Sequence, residues 1–220
     1  TNRQGVIANF DRLYVVKNTN LITDNTQIDK TTEIVASDLD LSEKSLNEKV
    51  SGVSWTTDGP IEWEERKGRN AYTLIANPLY SSNSPDLTIN PANNYKIEVE
   101  IESARLPTVD NMKRTILTDG SSNGYELSLV YYNNGTKIKF VYDGVELLSY
   151  SFIRINTVYK ISVYKIRQYL VLAINDKFDN LVEYQPKPSH GYNYITHINP
   201  LTIGKDSNDS ENNFYGYFYG

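Results

Sequence analysis

The 220-residue sequence has no cysteine, one methionine, two tryptophans and two histidines. Without cysteine there is no disulfide framework, no thiolate metal site and no cysteine nucleophile. Two histidines exclude a three-histidine metal centre within one chain. No run of about 18 apolar residues occurs, so no stretch reads as a membrane-spanning helix. Basic residues are in deficit, with 22 Lys+Arg against 27 Asp+Glu and a net charge of -5. That balance argues against nucleic acid or an anionic membrane as the main partner, since both require a basic surface. No Gly-rich phosphate loop, GxSxG, HExxH or nucleophile–histidine pairing stands out. Repeats of 20–50 residues, the mark of solenoids and propellers, are also missing. The chain opens Thr1-Asn-Arg-Gln-Gly5, with neither an apolar leader nor Met, and reads as an excised piece of a larger protein.

Tyrosine and asparagine are abundant. There are 18 Tyr against 6 Phe, so most aromatic rings carry a hydroxyl that needs a partner when buried. Tyr suits both strands and wet binding surfaces. The 24 Asn fit long polar loops. Residues 1–52 read as an N-terminal arm or partial subdomain. They hold one strand-like run, Leu13–Val16, and the chain's one good helix candidate, 37–50, with Leu39, Leu41, Leu46 and Val50 near helical spacing.

From Val53 to Gly220 the period is two. Tyr95, Ile97, Val99 and Ile101 alternate with Lys96, Glu98, Glu100 and Glu102. Tyr125, Leu127 and Leu129 form a second row, and Ile138, Phe140 and Tyr142 a third. Tyr159, Ile161 and Val163 make another, as do Leu170, Leu172 and Ile174. Such rows predict half-buried strands. Asp119-Gly120, Asn123-Gly124, Asn134-Gly135 and Asp143-Gly144 supply turns, making 125–150 a three-stranded meander. Ten to twelve short, mostly antiparallel strands predict an all-β, two-sheet jelly-roll sandwich over 53–220.

The order of phrases is also informative. Asn94–Glu102 is followed by Gly124–Leu129, Asn156–Val163 and Leu170–Asn175, then Asn199-Pro-Leu-Thr-Ile-Gly204 and Asn213-Phe-Tyr-Gly-Tyr-Phe218. This order resembles the concanavalin A-like lectin and laminin G superfamily over about 55–220. Val158 stands where that family usually has Trp, and Asn175-Asp176 replaces Asn-Gly. The resemblance implies a jelly roll that binds glycans on a sheet face or on edge loops. It extends to modules on the host-recognition devices of phages of Gram-positive bacteria, such as accessory baseplate proteins of lactococcal phages.

Several groups are candidate ligand contacts. In Phe214–Tyr219 the alternation puts Phe214, Gly216 and Phe218 on one face and Tyr215, Tyr217 and Tyr219 on the other. Tyrosine rings stack on sugar C–H patches while their hydroxyls bond sugar hydroxyls. The alternatives are burial beneath the arm or another subunit, and cross-strand aromatic packing. Tyr192, Asn193 and Tyr194, in the polar loop from Ser189 to His197, form a second candidate surface. Trp63, on a partly exposed strand, is a third. Arg167 and Gln168 sit at a turn and read as solvated. Asp206, Asp209 and Glu211 are weak calcium candidates, in a run lacking the central glycine and closing glutamate of an EF-hand. No other cofactor is expected. Glu98, Glu100 and Glu102 suggest a glycanase carboxylate row, but a solvated outer face, eased by Lys96 or by Lys137 and Lys139, is the expected reading.

The expected function is non-catalytic carbohydrate binding: adhesion to bacterial cell-surface polysaccharide within a phage tail or baseplate assembly, extracellular and on the virion. Other virion proteins are expected partners, with neither nucleic acid nor membrane insertion. The alternatives are a protein-interaction module, a toxin or adhesin binding domain and, more weakly, a glycan hydrolase.

Overall fold

The computed structural model describes residues 53–75, 77–83, 94–120, 124–185, 200–206 and 210–220, with Leu41, Lys44, Leu46 and Leu87. The helix expected over 37–50 and the strand-like run 13–16 lie outside the described residues, apart from those isolated positions.

The described chain forms fourteen strands. They are β1 (Trp55–Thr57), β2 (Trp63–Arg66), β3 (Arg69–Thr73), β4 (Leu79–Ser81), β5 (Tyr95–Ser103), β6 (Lys113–Thr118) and β7 (Tyr125–Tyr132). There follow β8 (Gly135–Tyr142), β9 (Val145–Leu148), β10 (Val158–Ile166), β11 (Tyr169–Ile174), β12 (Lys177–Glu183), β13 (Thr202–Ile203) and β14 (Gly216–Phe218). A 3-10 turn spans Ser210–Asn212. The strands build two antiparallel seven-stranded sheets, β1-β4-β13-β6-β7-β8-β9 and β12-β11-β10-β5-β14-β3-β2. The fold is the expected all-β jelly roll, with every predicted row in a strand and 125–150 forming the meander β7-β8-β9.

The turns follow from backbone chemistry. Two-residue hairpin loops that match strand twist need positive φ at both central residues. Asn133 and Asn134 supply it (φ 49 and 63°), as do Asp143 and Gly144 (48 and 75°) and Asn175 and Asp176 (52 and 62°). Asp tolerates this conformation, so the replacement of Asn-Gly at 175–176 leaves the hairpin intact. The turn expected at Asn134-Gly135 sits one residue earlier, and Gly135 opens β8. An added Cβ there would lie 2.4 Å from the Phe152 ring.

The inward rows of the two sheets meet in one core. Ile97, Val99, Ile101, Ile161, Val163 and Leu172 face Leu127, Leu129, Ile138, Phe140, Leu147 and Ile203. Leu41, from the stretch read as an arm, is fully buried in this core, and Leu46 packs against it. At one end of the sandwich β9 packs on β11 and β12. There the Asp179 carboxylate accepts from the backbone N–H of Tyr150 (2.7 Å) and Ser151 (3.0 Å), and Asn180 donates to the Leu148 carbonyl (2.7 Å).

Candidate functional site

The outer face of the second sheet gathers most of the candidate chemistry. Register sets its membership. Lys96, Glu98, Glu100 and Glu102 of β5 stand opposite Tyr164, Ser162, Lys160 and Val158 of β10, and Glu102 stands opposite Tyr217 of β14. Val171 pairs with both Tyr164 and Leu181, Tyr169 with Ile166, and Ala173 with Ser162 and Phe178. Cross-strand partners share a face, so these side chains form one surface.

The β5 end of that surface is a charge lattice. Glu98 is 3% exposed and Glu102 is fully buried, so the expected solvated row is a correction. Neighbouring strands carry cations and hydroxyls that cover the carboxylates. Glu98 meets Lys96 (2.8 Å), Lys160 (3.5 Å) and the Ser162 hydroxyl (2.6 Å). Glu100 takes both guanidinium arms of Arg69 (2.6 and 2.9 Å). Glu102 accepts from Arg66 (2.7 Å) and the Tyr219 hydroxyl (2.7 Å), with Lys67 at 3.7 Å. Lys137 and Lys139, expected to ease this row, lie on the other sheet, where Lys139 pairs with Glu146. Burial opposes the charge on Glu102, but Arg66 and Tyr219 outweigh it and hold the carboxyl below its ordinary range. Burial and Glu102 push the Tyr219 hydroxyl up, against Arg66 and Arg69.

The C-terminal tyrosines alternate as expected. Phe214 and Phe218 are in the core, while Tyr217 and Tyr219 form a second cluster with Ala71, flanked by Ala104 and Val158. Each ring carries a guanidinium on its face: Arg66 lies 4.2 Å from the Tyr217 centroid and Arg69 lies 4.5 Å from that of Tyr219. These two tyrosines are therefore covered within the chain. Tyr215 is half-buried, with Arg105 and Arg114 over its ring at 5.5 and 5.2 Å. Trp63 is half-buried and packs edge-on against Tyr72 at 5.5 Å, at the margin of the core. Tyr192, Asn193 and Tyr194 lie outside the described residues, as do His190, His197 and Asp209.

Asp206 is 4% exposed, and its carboxylate receives Lys113 (2.7 Å) and the Thr115 hydroxyl (3.1 Å). Lys113 also bonds Glu126 (2.7 Å); these two carboxylates outweigh burial and raise its affinity for protons. Glu211 sits on the 3-10 turn. No group of three metal-capable side chains occurs among the described residues.

Toward the β12 edge the same face is open and apolar. Phe178 is 62% exposed, Ile166 49%, Leu181 47% and Tyr169 39%, with Tyr164 and Val171 half-buried between them. Sequence reasoning missed this strip. Its signal was present: Tyr169–Ile174 is apolar at every position rather than at alternate ones, which marks a strand with apolar groups on both faces.

No protein-family model matches the chain, and no curated protein is similar to it in sequence. Solved structures share its fold. Domain 4 of AbnA, an extracellular GH43 arabinanase from Geobacillus stearothermophilus in complex with arabinotriose, has a TM-score of 0.59 at 13% identity, over 82% of this chain and 87% of that one. The botulinum neurotoxin serotype C1 binding domain has a TM-score of 0.57 at 11% identity, over 83% of this chain and 47% of that one. The enzymatically active domain of tailspike protein 2 from bacteriophage CBA120 has a TM-score of 0.50 at 16% identity, over 74% of this chain and 27% of that one. At such identities the likeness shows the two-sheet β-sandwich fold alone.

Proposed function

We propose that the chain is a non-catalytic carbohydrate-binding module that adheres to bacterial cell-surface polysaccharide, carried in a phage host-recognition assembly. The observation that carries this reading is the open strip of Tyr164, Tyr169 and Phe178 on a rigid sheet face, bordered by the charged lattice of β5. Flat rings on a preformed surface suit sugar C–H faces, and the flanking polar groups suit sugar hydroxyls. The AbnA domain solved with arabinotriose supports the ligand class, and the phage tailspike domain supports the setting. A glycosidase pair needs one carboxyl to donate a proton and a second to attack or activate water. Glu98, Glu100 and Glu102 are each held by cations, which suits a structural role instead.

Tyr192, Asn193 and Tyr194 are proposed as loop contacts on their residue types alone, and Tyr215, half-buried, as a rim contact. Tyr217, Tyr219 and Trp63 act beneath the surface, supporting the residues that meet ligand. Single-site affinity falls in the micromolar to millimolar range, and display in many copies raises avidity.

The test is titration of the displayed protein against wall polysaccharide of Gram-positive hosts, with Tyr169→Ala and Phe178→Ala alongside. Each substitution is expected to weaken binding about fivefold to tenfold, the loss when roughly 50 Å² of apolar contact disappears. Undiminished binding by the double variant would remove the strip from the site. Ile166 and Leu181 favour a second reading, because aliphatic side chains at such exposure suit a protein partner. That reading wins if no polysaccharide binds and the same substitutions block assembly with another virion component.

A further inference from the structure

Three tyrosines near the C-terminus each sit beneath arginine, but one of the three arrangements is incomplete. Over Tyr217, Arg66 is closed by Glu102 at 2.7 Å and Glu64 at 3.1 Å. Over Tyr219, Arg69 is closed by both oxygens of Glu100. Over Tyr215 there are two guanidiniums, Arg105 and Arg114, and among the described residues neither has a carboxylate in ion-pair contact. Arg114 is 4% exposed; its Nη1 donates to the Glu211 carbonyl, and its Nε is buried without an acceptor. Arg105 is exposed. The site lies at the rim of the sandwich, where the chain leaving β5 meets the start of β6. It is held there by the Ala104 N–H bonded to the Tyr215 carbonyl (2.9 Å).

Two like charges on one ring, one of them deeply buried, repel each other and lose hydration. Burial pulls the Arg114 guanidinium below its ordinary affinity for protons, and the Arg105 charge adds to that pull; Tyr215 and, from beyond ion-pair contact, the Glu211 carboxylate resist it without reversing it. A bound anion would relieve both the repulsion and the desolvation.

We infer that Arg105, Arg114 and Tyr215 form an oxyanion site that takes the negatively charged substituent of an acidic polysaccharide, a uronate carboxylate or a backbone phosphate. The ligand oxygens fill the place that Glu102 and Glu100 occupy over the neighbouring tyrosines. Planar guanidiniums match either group through paired N–H donors. The saccharide part of this inference rests on the carbohydrate-binding reading; the anion part does not.

The experiment has two layers. In the first, the full chain is titrated with D-glucuronate, glycerol 1-phosphate and glucose, following arginine Nε–H and the Tyr215 amide by NMR. Saturable shifts at Tyr215 and Arg114 with one or both anions, but not with glucose, are expected, and the stronger anion identifies the source. Absence of shifts with both anions overturns the inference. In the second, a polyglucuronate, a glycerol-phosphate wall polymer and a neutral wall polysaccharide are compared. Arg105→Gln is expected to weaken the preferred acidic polymer about tenfold, the scale of one charge-assisted hydrogen bond. Lys139→Gln removes the same charge from β8, outside the proposed site, and is expected to leave affinity unchanged. Equal weakening by both variants reduces the effect to general charge and overturns the site. Arg114→Lys keeps the charge and loses the fork; thermal melting identifies any loss that is mere unfolding, and Arg105→Gln, at an exposed position, then decides. Binding of neutral polymer with equal affinity by wild type and Arg105→Gln, without preference for acidic polymers, overturns the inference and leaves carbohydrate binding standing. Saturable anion shifts with no polymer bound sustain the site and sink carbohydrate binding.

Discussion

At Gly216 a single hydrogen holds open the contact between β14 and β5. An added Cβ would lie 2.2 Å from the Glu102 backbone carbonyl and 2.7 Å from the Phe214 ring. The carbonyl belongs to the central strand of the sheet and cannot give way as a flexible side chain would. Gly216→Ala is therefore expected to cost about 3 kcal/mol, the upper end for overpacking, read as a lowered urea midpoint at unchanged slope. Glu102, beside it, makes a different prediction. Its carboxyl is held below the ordinary range in the folded state, so the unfolded state binds its proton first as pH falls. The stability it contributes is present above its unfolded value, about 4.5, and disappears as pH falls through the lower folded value. Glu102→Gln is expected to be less stable at neutral pH, with Arg66 and Lys67 left facing an uncharged group, and to lose less stability on acidification. Melting temperatures of the two proteins between pH 6 and pH 3 should converge; parallel curves would show that this carboxyl does not govern the acid limb.

Between neighbouring elements, β12 is the clearest case of a strand held from outside its own sheet. Among the described residues it pairs only with β11, through a register irregularity at Leu172/Ala173, and Asp179 ties it to the segment after β9. Asp179→Ala removes both acceptors and leaves the Tyr150 and Ser151 amides without their partner. The expected cost is about 2 kcal/mol, with faster amide exchange at Tyr150, Ser151 and along β12 but not in β7 or β8. Uniform acceleration would instead mean that the sandwich opens as one unit. Because β12 carries Phe178 and Leu181, the same substitution is expected to weaken polysaccharide binding without touching a ligand contact. This is also the scale at which the sequence was most legible. Alternating rows in β5, β7 and β8, and Asn or Asp at the left-handed turn positions, are local features that neighbours along the chain report directly. The strip on β10–β12 was harder to see, since Val171 and Leu181 meet only through cross-strand register.

At the scale of the whole molecule, the proposed binding function would rest on rigidity and number. Two sheets closed over one core hold the strip and the rim arginines in a preformed geometry, so little ordering is required when a glycan docks. Linking two or more copies is expected to raise apparent affinity for a polymer by about 10²–10⁴ while leaving affinity for a monosaccharide unchanged, measurable by surface-bound polymer against free sugar. Equal gains for both would indicate a new site created by oligomer contact rather than avidity.

By itself the sequence determined the strand rows, the turns, the all-β class, the face division of Phe214–Tyr219 and the exclusion of cysteine chemistry. Each depends on residues near one another in the chain, where a period of two or a left-handed turn leaves a direct trace. Only the tertiary structure decided that Glu98 and Glu102 are buried and paired, that Arg66 and Arg69 cover Tyr217 and Tyr219, and that Arg105 and Arg114 meet over Tyr215 with no carboxylate in ion-pair contact among the described residues. Apart from Lys96 beside Glu98, these partners lie more than 30 residues apart in the chain. Charge pairing depends on distance in space, which a sequence pattern does not encode.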